Sequence, residues 1–221
     1  MTVVQNKDVV KRGRGRPPVR SDEETRRLLI EAAAKEFQLS GFAAAGMGAI
    51  AERAGFSTRT IYQLVPTKVD LFEMVISDRI GRFMLEVHEE TLDAVAPIEA
   101  LRRILIAFGN LTLSPETIAI NRLVIAEGER FPEIAAAFHE KAITQVNRIV
   151  ETWLVHQNDR GRITLADPHA AAGMLRGMMI MEPQRAVFLG LRGAPSAAEI
   201  QDRAEICAQL FLRGCQTAGA D

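Results

Sequence analysis

The sequence predicts an all-α protein of about nine helices. Apolar residues recur at helical intervals along most of the chain, and no segment alternates apolar and polar residues with a period of two. Proline or a capping residue stands where several of these stretches begin, and glycine stands where some of them end. With 221 residues, of which 48% are hydrophobic, the chain can bury a sizeable core in one domain or two small ones.

Four helices are expected in the first 93 residues. Ser21 and Glu24 have the spacing of a capping box, and Gly41 provides a stop, so the first helix is bounded at both ends. Gly55 separates the two short helices that follow, and a stripe of apolar residues between Phe72 and Val87 indicates a long fourth helix. The expected bounds are about Asp22 to Leu39, Met47 to Ala54, Thr58 to Leu64 and Thr67 to Asp93.

Prolines divide the rest of the chain into further helices. Pro97 interrupts the helical pattern of the fourth helix. Three more helix starts are marked by prolines that the first helical turn tolerates, at Pro115, Pro132 and Pro168. After an interruption from Gly193 to Pro195, a last helix is expected to run to about Gly214.

Several classes of protein are excluded by what the sequence lacks. There is no apolar run long enough to span a bilayer and no apolar secretion signal, so we expect a cytoplasmic protein. Cys207 and Cys215 lack metal-ligand spacing; we expect them to be reduced and buried, with no metal and no cofactor bound. We do not expect an enzyme, because no nucleophile motif accompanies the scattered histidines His88, His139, His156 and His169.

A basic arm precedes the first helix. Between Lys7 and Arg20 the chain has six basic residues against one acidic residue, although its net charge is −1. Such an arm indicates an anionic polymer as partner, while a solvated tail is the alternative. Arg14 and Arg16 flank Gly15 in a stretch similar to the core of an AT-hook, in which arginines lie in a narrow minor groove. Simple attraction to phosphate is equally compatible with these residues.

Within the N-terminal region the two short helices have the pattern of a helix-turn-helix. A small residue at Ala51 lets the second short helix lie close, and Gly55 permits a positive φ in the turn. Ile61 would anchor the second short helix in the core, with Ile50 and Leu64 completing the buried side. A helix hairpin without any partner is the alternative to this interpretation.

The opposite side of the second short helix is polar. Ser57 can cap this helix, which would leave its outer side free to enter a DNA major groove. Base contacts are then expected from Thr58, Arg59, Thr60, Tyr62 and Gln63.

A series of short motifs surrounds this pattern: Phe-x-x-x-Gly-Phe from Phe37 to Phe42, Ile50-Ala51, Ala54 to Ser57, Thr60 to Tyr62, and Lys68 ahead of Leu71-Phe72. Together they resemble the N-terminal DNA-binding domain of the tetracycline-repressor (TetR) family of bacterial transcription regulators, over about Thr25 to Val75. The resemblance implies an all-α homodimer whose second domain binds a small molecule and releases operator DNA. It divides the chain into the arm (1–20), a helix-turn-helix domain (21–74) and an effector-binding and dimerisation domain (75–221).

The resemblance also implies contacts with the DNA backbone. Family members often begin the second helix with Thr or Ser, whereas this chain has Ala45 and Gly46, so the backbone N–H groups at Gly46 and Met47 would bind phosphate instead. Lys68 matches the usual family lysine, whose ammonium faces phosphate beside a helix N-terminus. Leu64 stands where the family often has His or Tyr, so we expect one backbone contact fewer.

The segment from Asn121 to Ile143 resembles the effector domain of an AefR-like branch of the same family. An apolar set of side chains would suit an apolar or aromatic effector, although each member alone could be ordinary helical core. The candidate cavity residues are Phe83, Met84, Val87, His88, Leu105, Phe108, Leu111, Val124, Phe138, Val146 and Met178.

A homodimer interface is predicted from the small residues and methionines between Ala170 and Met181 and from Ile206, Leu210 and Phe211. The alternative is that these residues contact only their own subunit. The sequence thus predicts a ligand-responsive DNA-binding regulator, with repression as the family default. The fourth helix, at about 40 Å, would connect Lys68 with the cavity. A DNA-organising or partner-binding helical protein without a small-molecule effector is the alternative.

Overall fold

The computed structural model describes residues 21–87 and 92–215, and within these ranges it contains nine helices of seven residues or more and no β-strand. The predicted all-α fold is therefore confirmed. The arm, with Arg14 and Arg16, and also His88 lie outside the described residues. None of the described helices combines the length and the apolar character that a membrane crossing requires.

The helices are α1 (Asp22–Ala44), α2 (Met47–Ala54), α3 (Thr58–Leu64), α4 (Lys68–Glu86), α5 (Pro97–Thr112), α6 (Pro115–Glu127), α7 (132–159), α8 (Pro168–Phe188) and α9 (Ala197–Gly214). In α7, α-helical Pro132–Phe138 and Gln145–Asp159 flank a π-helical stretch, His139–Thr144. α2 and α3 have the bounds predicted from the sequence, and the predicted proline starts of α6, α7 and α8 are confirmed.

Ser21 and Ser57 cap α1 and α3, although only one of the two bonds of the predicted capping box between Ser21 and Glu24 is formed. The hydroxyl of Ser21 accepts a hydrogen bond from the N–H of Glu24, and the hydroxyl of Ser57 accepts one from the N–H of Thr60, both at 3.1 Å. These bonds satisfy N–H groups that a helix leaves without an internal partner. The start of α3 is therefore fixed by its own sequence.

α1 extends beyond its predicted end at Leu39, but it is kinked at Gly41. Gly41 has φ 74° and ψ 176°, which interrupts the helical backbone before a last turn that ends at Ala44. Glycine adopts this positive φ without the steric cost that a side chain would bring. The predicted stop at Gly41 is thus present as a kink inside a longer element.

α4 is shorter than predicted, since it ends at Glu86 and not at Asp93. Its 19 residues correspond to about 28 Å, so the predicted length of about 40 Å is wrong. A helix continued to Asp93 would collect Glu86, Glu89, Glu90 and Asp93 at the negative end of its dipole. Val87 instead leaves the helical conformation, with φ −112° and ψ 40°.

Three aromatic rings lie in the core of the N-terminal unit made by α1 to α4. The ring centroids of Phe37, Phe42 and Phe72 lie 5.6–5.8 Å apart. Ile50 and Ile61, on α2 and α3, are fully buried, as the sequence predicts. α2 packs against α1 and α3 packs against α2, so both short helices are anchored in this core.

Leu64 does not complete this core, which corrects the prediction. Its side chain is 46% exposed, whereas that of the next residue, Val65, is 1% exposed. α3 ends at Leu64, and Val65 adopts an extended backbone with φ −141° and ψ 108°. The change from helical to extended backbone therefore turns Val65 inward in place of Leu64.

α2 is also tied to α1 by a polar contact. The buried carboxylate of Glu36 on α1 accepts hydrogen bonds from the hydroxyl of Ser40 at 2.8 Å and from the guanidinium of Arg53 on α2 at 3.1 Å. The bond from Ser40, followed by that from Arg53, lowers the pKa of Glu36. This pair fixes α2 against the middle of α1.

The C-terminal part is built around α5, which packs against α9 and α8. Gly109 makes this close approach possible, because a Cβ atom there would lie 2.7 Å from the Cε of Met179 and 2.8 Å from the Cγ2 of Ile200. Cys207 and Cys215 are free and buried, as predicted, and burial raises the pKa of both thiols.

α8 contains a buried proline, Pro183, whose lack of an N–H group leaves the carbonyl of Met179 without its helical donor. Arg203 on α9 supplies the missing donor. Its Nε donates to the carbonyl oxygen of Met179 at 2.8 Å, and a terminal nitrogen donates to that of Met178 at 2.8 Å. The guanidinium also pairs with Glu182 at 3.1 Å. This contact sets the register of α9 against α8.

We therefore expect Arg203→Met to lower the free energy of unfolding by about 1–3 kcal/mol, because a buried carbonyl loses its donor. In a Pro183→Ala background the helix regains its own N–H donor, so the cost of Arg203→Met should shrink. Urea unfolding of the two single variants and the double variant, at one protein concentration, measures this coupling. An equal cost in both backgrounds would contradict the assignment, and Arg213→Met, at an exposed position of α9, is the control.

Candidate functional site

The outer side of α3 is a polar surface exposed to solvent. Thr58, Arg59 and Gln63 are exposed, and Tyr62 is 52% exposed. Thr60 is half-buried, and its hydroxyl lies 2.8 Å from that of Ser57, so it helps to hold the cap. The helix thus presents donors, acceptors and one aromatic ring, the mixture of groups that can contact base edges and phosphates in a major groove.

α2 precedes α3 by a few residues, and the first backbone N–H groups of α2 have no side-chain cap among the described residues. Gly46 is the N-cap of this helix. Gly46 is exposed and Met47 is half-buried. Unpaired N–H groups and the positive end of the helix dipole favour a phosphate at this position. The predicted roles of Gly46 and Met47 stay predictions that this geometry allows.

The ammonium of Lys68, predicted to hold phosphate, is occupied by the protein. It donates to the carbonyl oxygens of Phe42 at 2.6 Å, Ala43 at 3.2 Å and Ala45 at 3.0 Å. It also lies 4.7 Å from the centre of the Phe42 ring. Because an ammonium has three N–H donors, these carbonyls account for all of them. Lys68 therefore secures the last turn of α1 and its C-cap, and its contact with phosphate stays a prediction.

Glu127, which the sequence pattern did not single out, holds the same stretch from the other side. Its carboxylate oxygens accept the N–H groups of Phe42 at 2.8 Å and Ala43 at 2.7 Å. Glu127 is the last residue of α6, 84 positions after Ala43. No local motif indicates a contact between residues so distant in the chain. Gly41 was the available signal, since a glycine with positive φ marks a place where something approaches the backbone.

A cavity of about 230 Å³ lies between α4, α5, α6, α7 and α8; we call it the central cavity. Its wall is mainly apolar, with Ile80, Phe108 and Phe138 among its members. The polar residues that line it are Arg79, Thr112, Thr117, Asn121, Asn147 and Gln184. An apolar wall with a few polar groups is typical of a site for a small organic molecule.

The π-helical stretch of α7 shapes one wall of the central cavity. Between Phe138 and Asn147, five residues line the space, including Ala142 and Ile143 within the π-helical turns. A π-helical turn widens the backbone and changes which side chains face a neighbouring helix, and such turns are frequent at functional sites. The irregular stretch therefore supports a binding role for this cavity.

Arg79 brings positive charge to the lining of the central cavity. Burial is the main cause that lowers the pKa of its guanidinium, and the pairing with Glu116 at 3.8 Å opposes this. An arginine remains protonated at neutral pH even so. The cavity can thus receive a carboxylate or another acceptor group beside Arg79.

Four of the eleven predicted effector residues line the central cavity: Phe108, Leu111, Phe138 and Val146. The others described lie elsewhere. Phe83 borders a second depression, Met84 and Val87 a third beside Trp153, and Met178 a fourth near α9. Leu105 is fully buried and Val124 half-buried in the helical core, and neither lines the cavity.

These differences have one physical reason. An apolar stripe identifies the side of a helix that is buried, but it does not distinguish a side chain packed against a neighbour from one that borders an empty space.

The depression beside Trp153 is larger than the central cavity, at about 450 Å³, but it borders Val87 and Leu92, where the described residues are interrupted. Across residues 21–87 and 92–215, no three His, Cys, Asp or Glu side chains are grouped closely enough to hold a metal ion.

Comparison with protein families gives two matches. Residues 29–75 match the model described as "Bacterial regulatory proteins, tetR family", and residues 99–215 match that described as "AefR-like transcriptional repressor, C-terminal domain". The second match alone covers more than half of the chain. No curated protein sequence is similar enough to this chain to count as a match.

Solved structures have the same fold over nearly the whole chain. A TetR-family transcriptional regulator from Mesorhizobium loti is 24% identical with a TM-score of 0.76, covering 90% of this chain and 100% of its own. The flavonoid-responsive regulator FrrA is 26% identical with a TM-score of 0.71, covering 89% and 100%. FadR from Bacillus subtilis, solved with stearoyl-CoA, is 18% identical with a TM-score of 0.65, covering 86% and 99%.

The central cavity generates a prediction about small molecules. A compound that enters it should raise the melting temperature of the protein, because it binds the folded state only. Val146→Phe, which adds a ring to the wall, should reduce this stabilisation by more than half, an effect of about 0.5 kcal/mol or more. The measurement is a thermal-shift panel of benzoate, phenylacetate, octanoate and their methyl esters.

Met84→Phe adds a ring beside Trp153 and serves as the matched control. It should leave the ligand-induced shift unchanged, since Met84 does not line the central cavity. Each shift is measured against the ligand-free variant, because overpacking alone changes stability. If Met84→Phe abolishes the response and Val146→Phe keeps it, the compound binds beside Trp153 instead.

Proposed function

Because the chain belongs to the tetR family of bacterial regulatory proteins and carries an AefR-like C-terminal domain, we propose that it is a ligand-responsive transcriptional repressor. In this proposal a homodimer binds a palindromic operator and is released by a small apolar or aromatic effector. The family consists of transcription regulators and not of enzymes. The operator, the homodimer and the effector are what the proposal adds to family membership. We also propose that the protein acts in the bacterial cytoplasm.

The observation that carries the proposal is the exposed polar side of α3. Ile61 is fully buried and Ser57 caps the helix, so the backbone of α3 is fixed while Arg59, Tyr62 and Gln63 face solvent. A rigid helix with free polar side chains can enter a major groove while it keeps its core packing. We therefore assign α3 as the recognition helix and residues 21–74 as the DNA-binding domain.

α8 and α9 support a homodimer. Large apolar side chains on these two helices are exposed, namely Met174 at 70%, Met181 at 55%, Ile206 at 57% and Leu210 at 58%. Contiguous exposed apolar side chains on neighbouring helices are typical of a protein interface. Two copies related by a two-fold axis would bury them against each other and would place two recognition helices on a palindromic site. Residues 75–221 would then hold both the interface and the effector.

The central cavity supports a small effector. Its volume of about 230 Å³ exceeds that of an engineered cavity of about 150 Å³ that accepts benzene, and it is below the usual range for drug-sized ligands. One similar protein is described as flavonoid-responsive, and another was solved with stearoyl-CoA. An effector of one or two aromatic rings, or a short aliphatic chain, fits the space that this chain offers.

Arg59 tests the recognition helix. If its guanidinium binds one base in each half-site, Arg59→Ala should weaken operator binding by about 1–3 kcal/mol per contact and relax the preference at that base pair. Binding to a selected operator and to random DNA is compared by fluorescence anisotropy. Arg103→Ala is the control, because it removes an exposed arginine on α5, outside the proposed DNA-binding domain. It should change neither the operator affinity nor the random-DNA affinity. Equal losses on both DNAs for Arg59→Ala would show that α3 does not read bases.

Deletion of residues 1–18 tests the basic arm, which carries five basic residues in that range. The deletion should weaken DNA binding and lower the salt slope by about one unit for each phosphate that the arm no longer neutralises. Arg16→Ala separates the two interpretations, since an arginine in the minor groove predicts a larger loss of affinity on operators with A/T flanks than on those with G/C flanks. A salt slope unchanged by the deletion would remove the arm from DNA binding.

A further inference from the structure

The four residues Phe42 to Ala45, called here the 42–45 segment, are the last turn of α1 after the kink at Gly41 and the C-cap that follows it, directly before the N-cap of α2. They are held from two sides. Glu127 accepts two of the segment's N–H groups, at 2.8 and 2.7 Å. Lys68 donates to three of its carbonyl oxygens, at 2.6, 3.2 and 3.0 Å. A carboxylate and an ammonium thus bind the two polar edges of one short stretch of backbone. Such charge-assisted hydrogen bonds are stronger than neutral ones.

The contact with Glu127 has a steric requirement at Gly41. A Cβ atom there would lie 2.5 Å from the Oε1 of Glu127, and φ is 74°. A side chain at this position would be strained by the positive φ and would displace the carboxylate of Glu127 from its present place. Glu127 also stands at the last position of α6, where the helix dipole disfavours a negative charge. The hydrogen bonds from the N–H groups of Phe42 and Ala43 offset this unfavourable position of the carboxylate. Glu127 and the 42–45 segment therefore stabilise each other.

Both holding residues stand on helices that line the central cavity. On α6, Thr117, Ile120 and Asn121 line it, and Asn121 precedes Glu127 by six residues, or about 9 Å. On α4, Ile76 lines the cavity eight residues after Lys68, or about 12 Å. A molecule in the cavity therefore touches the two helices that hold the 42–45 segment.

We propose that Glu127 is a positioning residue for DNA binding: its carboxylate fixes the 42–45 segment, and through it α2 and α3, relative to the effector domain. A shift of α6 around an occupied cavity then moves the start of α2 directly. This inference rests on the proposed function and adds a residue of the effector domain to the DNA-binding mechanism. α4 is the second connection, through Lys68.

The test uses the full chain and four proteins: wild type, Glu127→Ala, Glu127→Gln and the control Glu129→Gln. Glu129 is exposed two residues after Glu127, so its variant makes the same chemical change without touching the 42–45 segment. Loss of two charge-assisted bonds should weaken binding to a selected operator about tenfold or more in Glu127→Ala. Glu127→Gln keeps an acceptor oxygen and should lose less, and Glu129→Gln should bind within about twofold of wild type.

Two further readouts separate positioning from mere stability. A role only in stability would lower the melting temperature and leave the ratio of operator to random-DNA affinity unchanged, whereas misplaced recognition helices lower that ratio. Hydrogen exchange reports the bonds themselves, and the amides of Phe42 and Ala43 should exchange about tenfold faster in Glu127→Ala. The DNA affinity of Lys68→Met combined with Glu127→Ala should be less than additive, because both residues act on one segment.

Operator affinity and an affinity ratio equal to wild type in Glu127→Ala would overturn the inference, and so would unchanged exchange of the two amides. A wild-type protein that selects no operator would contradict the proposed function instead. In that case faster exchange in Glu127→Ala and not in Glu129→Gln would still support the positioning of the 42–45 segment by Glu127.

Discussion

Burial of the Phe42 ring is the constraint on which the arrangement of the two parts of the molecule depends. The ring lies among Phe37 and Phe72 of the N-terminal unit, and its centre is 5.3 Å from that of Phe131, which precedes α7. Each such aromatic pair contributes about 0.5–1.5 kcal/mol beyond its buried area. One side chain is therefore part of both cores. Gly41 allows this arrangement, because its kink directs the next residue away from the path of α1.

Irregular backbone occurs where a helix has a partner from a distant part of the chain. The kink at Gly41 is accompanied by Glu127, and the carbonyl left free by Pro183 is bound by Arg203. Each irregularity exposes polar backbone groups, and each is stabilised by a charged side chain that reaches them from another helix. The π-helical stretch of α7 borders the central cavity. The regular parts of the helices thus form the core, while their interruptions join the N-terminal unit to α6 and border the central cavity.

Local signals allowed much of the fold to be predicted. The caps at Ser21 and Ser57, the turn at Gly55 and the prolines at helix starts all act within a few residues, and the structure confirms them. The bonds of Glu127 and Arg203 join residues more than twenty positions apart, so no periodicity could indicate them. The cavity was predicted only in part for a related reason. Hydrophobicity identifies buried residues, whereas an empty space depends on how helices from the whole chain pack.

The size of the central cavity bears on how its occupancy could reach the DNA-binding helices. A small occupant displaces helices only slightly, so the connection must be short and stiff, as the bonds of 2.7 and 2.8 Å at Glu127 are. Allosteric coupling is typically worth about 1–3 kcal/mol, and a hydrogen bond to a charged group contributes about 1.5–3 kcal/mol. If the protein is ligand-responsive as proposed, loosening the hydrogen bonds of one carboxylate would release enough free energy for a typical allosteric response. If α4 acted alone, its 19 residues would have to transmit this coupling free energy by tilting as a whole. With α6 included, Lys68 of α4 and Glu127 of α6 act on the carbonyl and N–H groups of one four-residue segment.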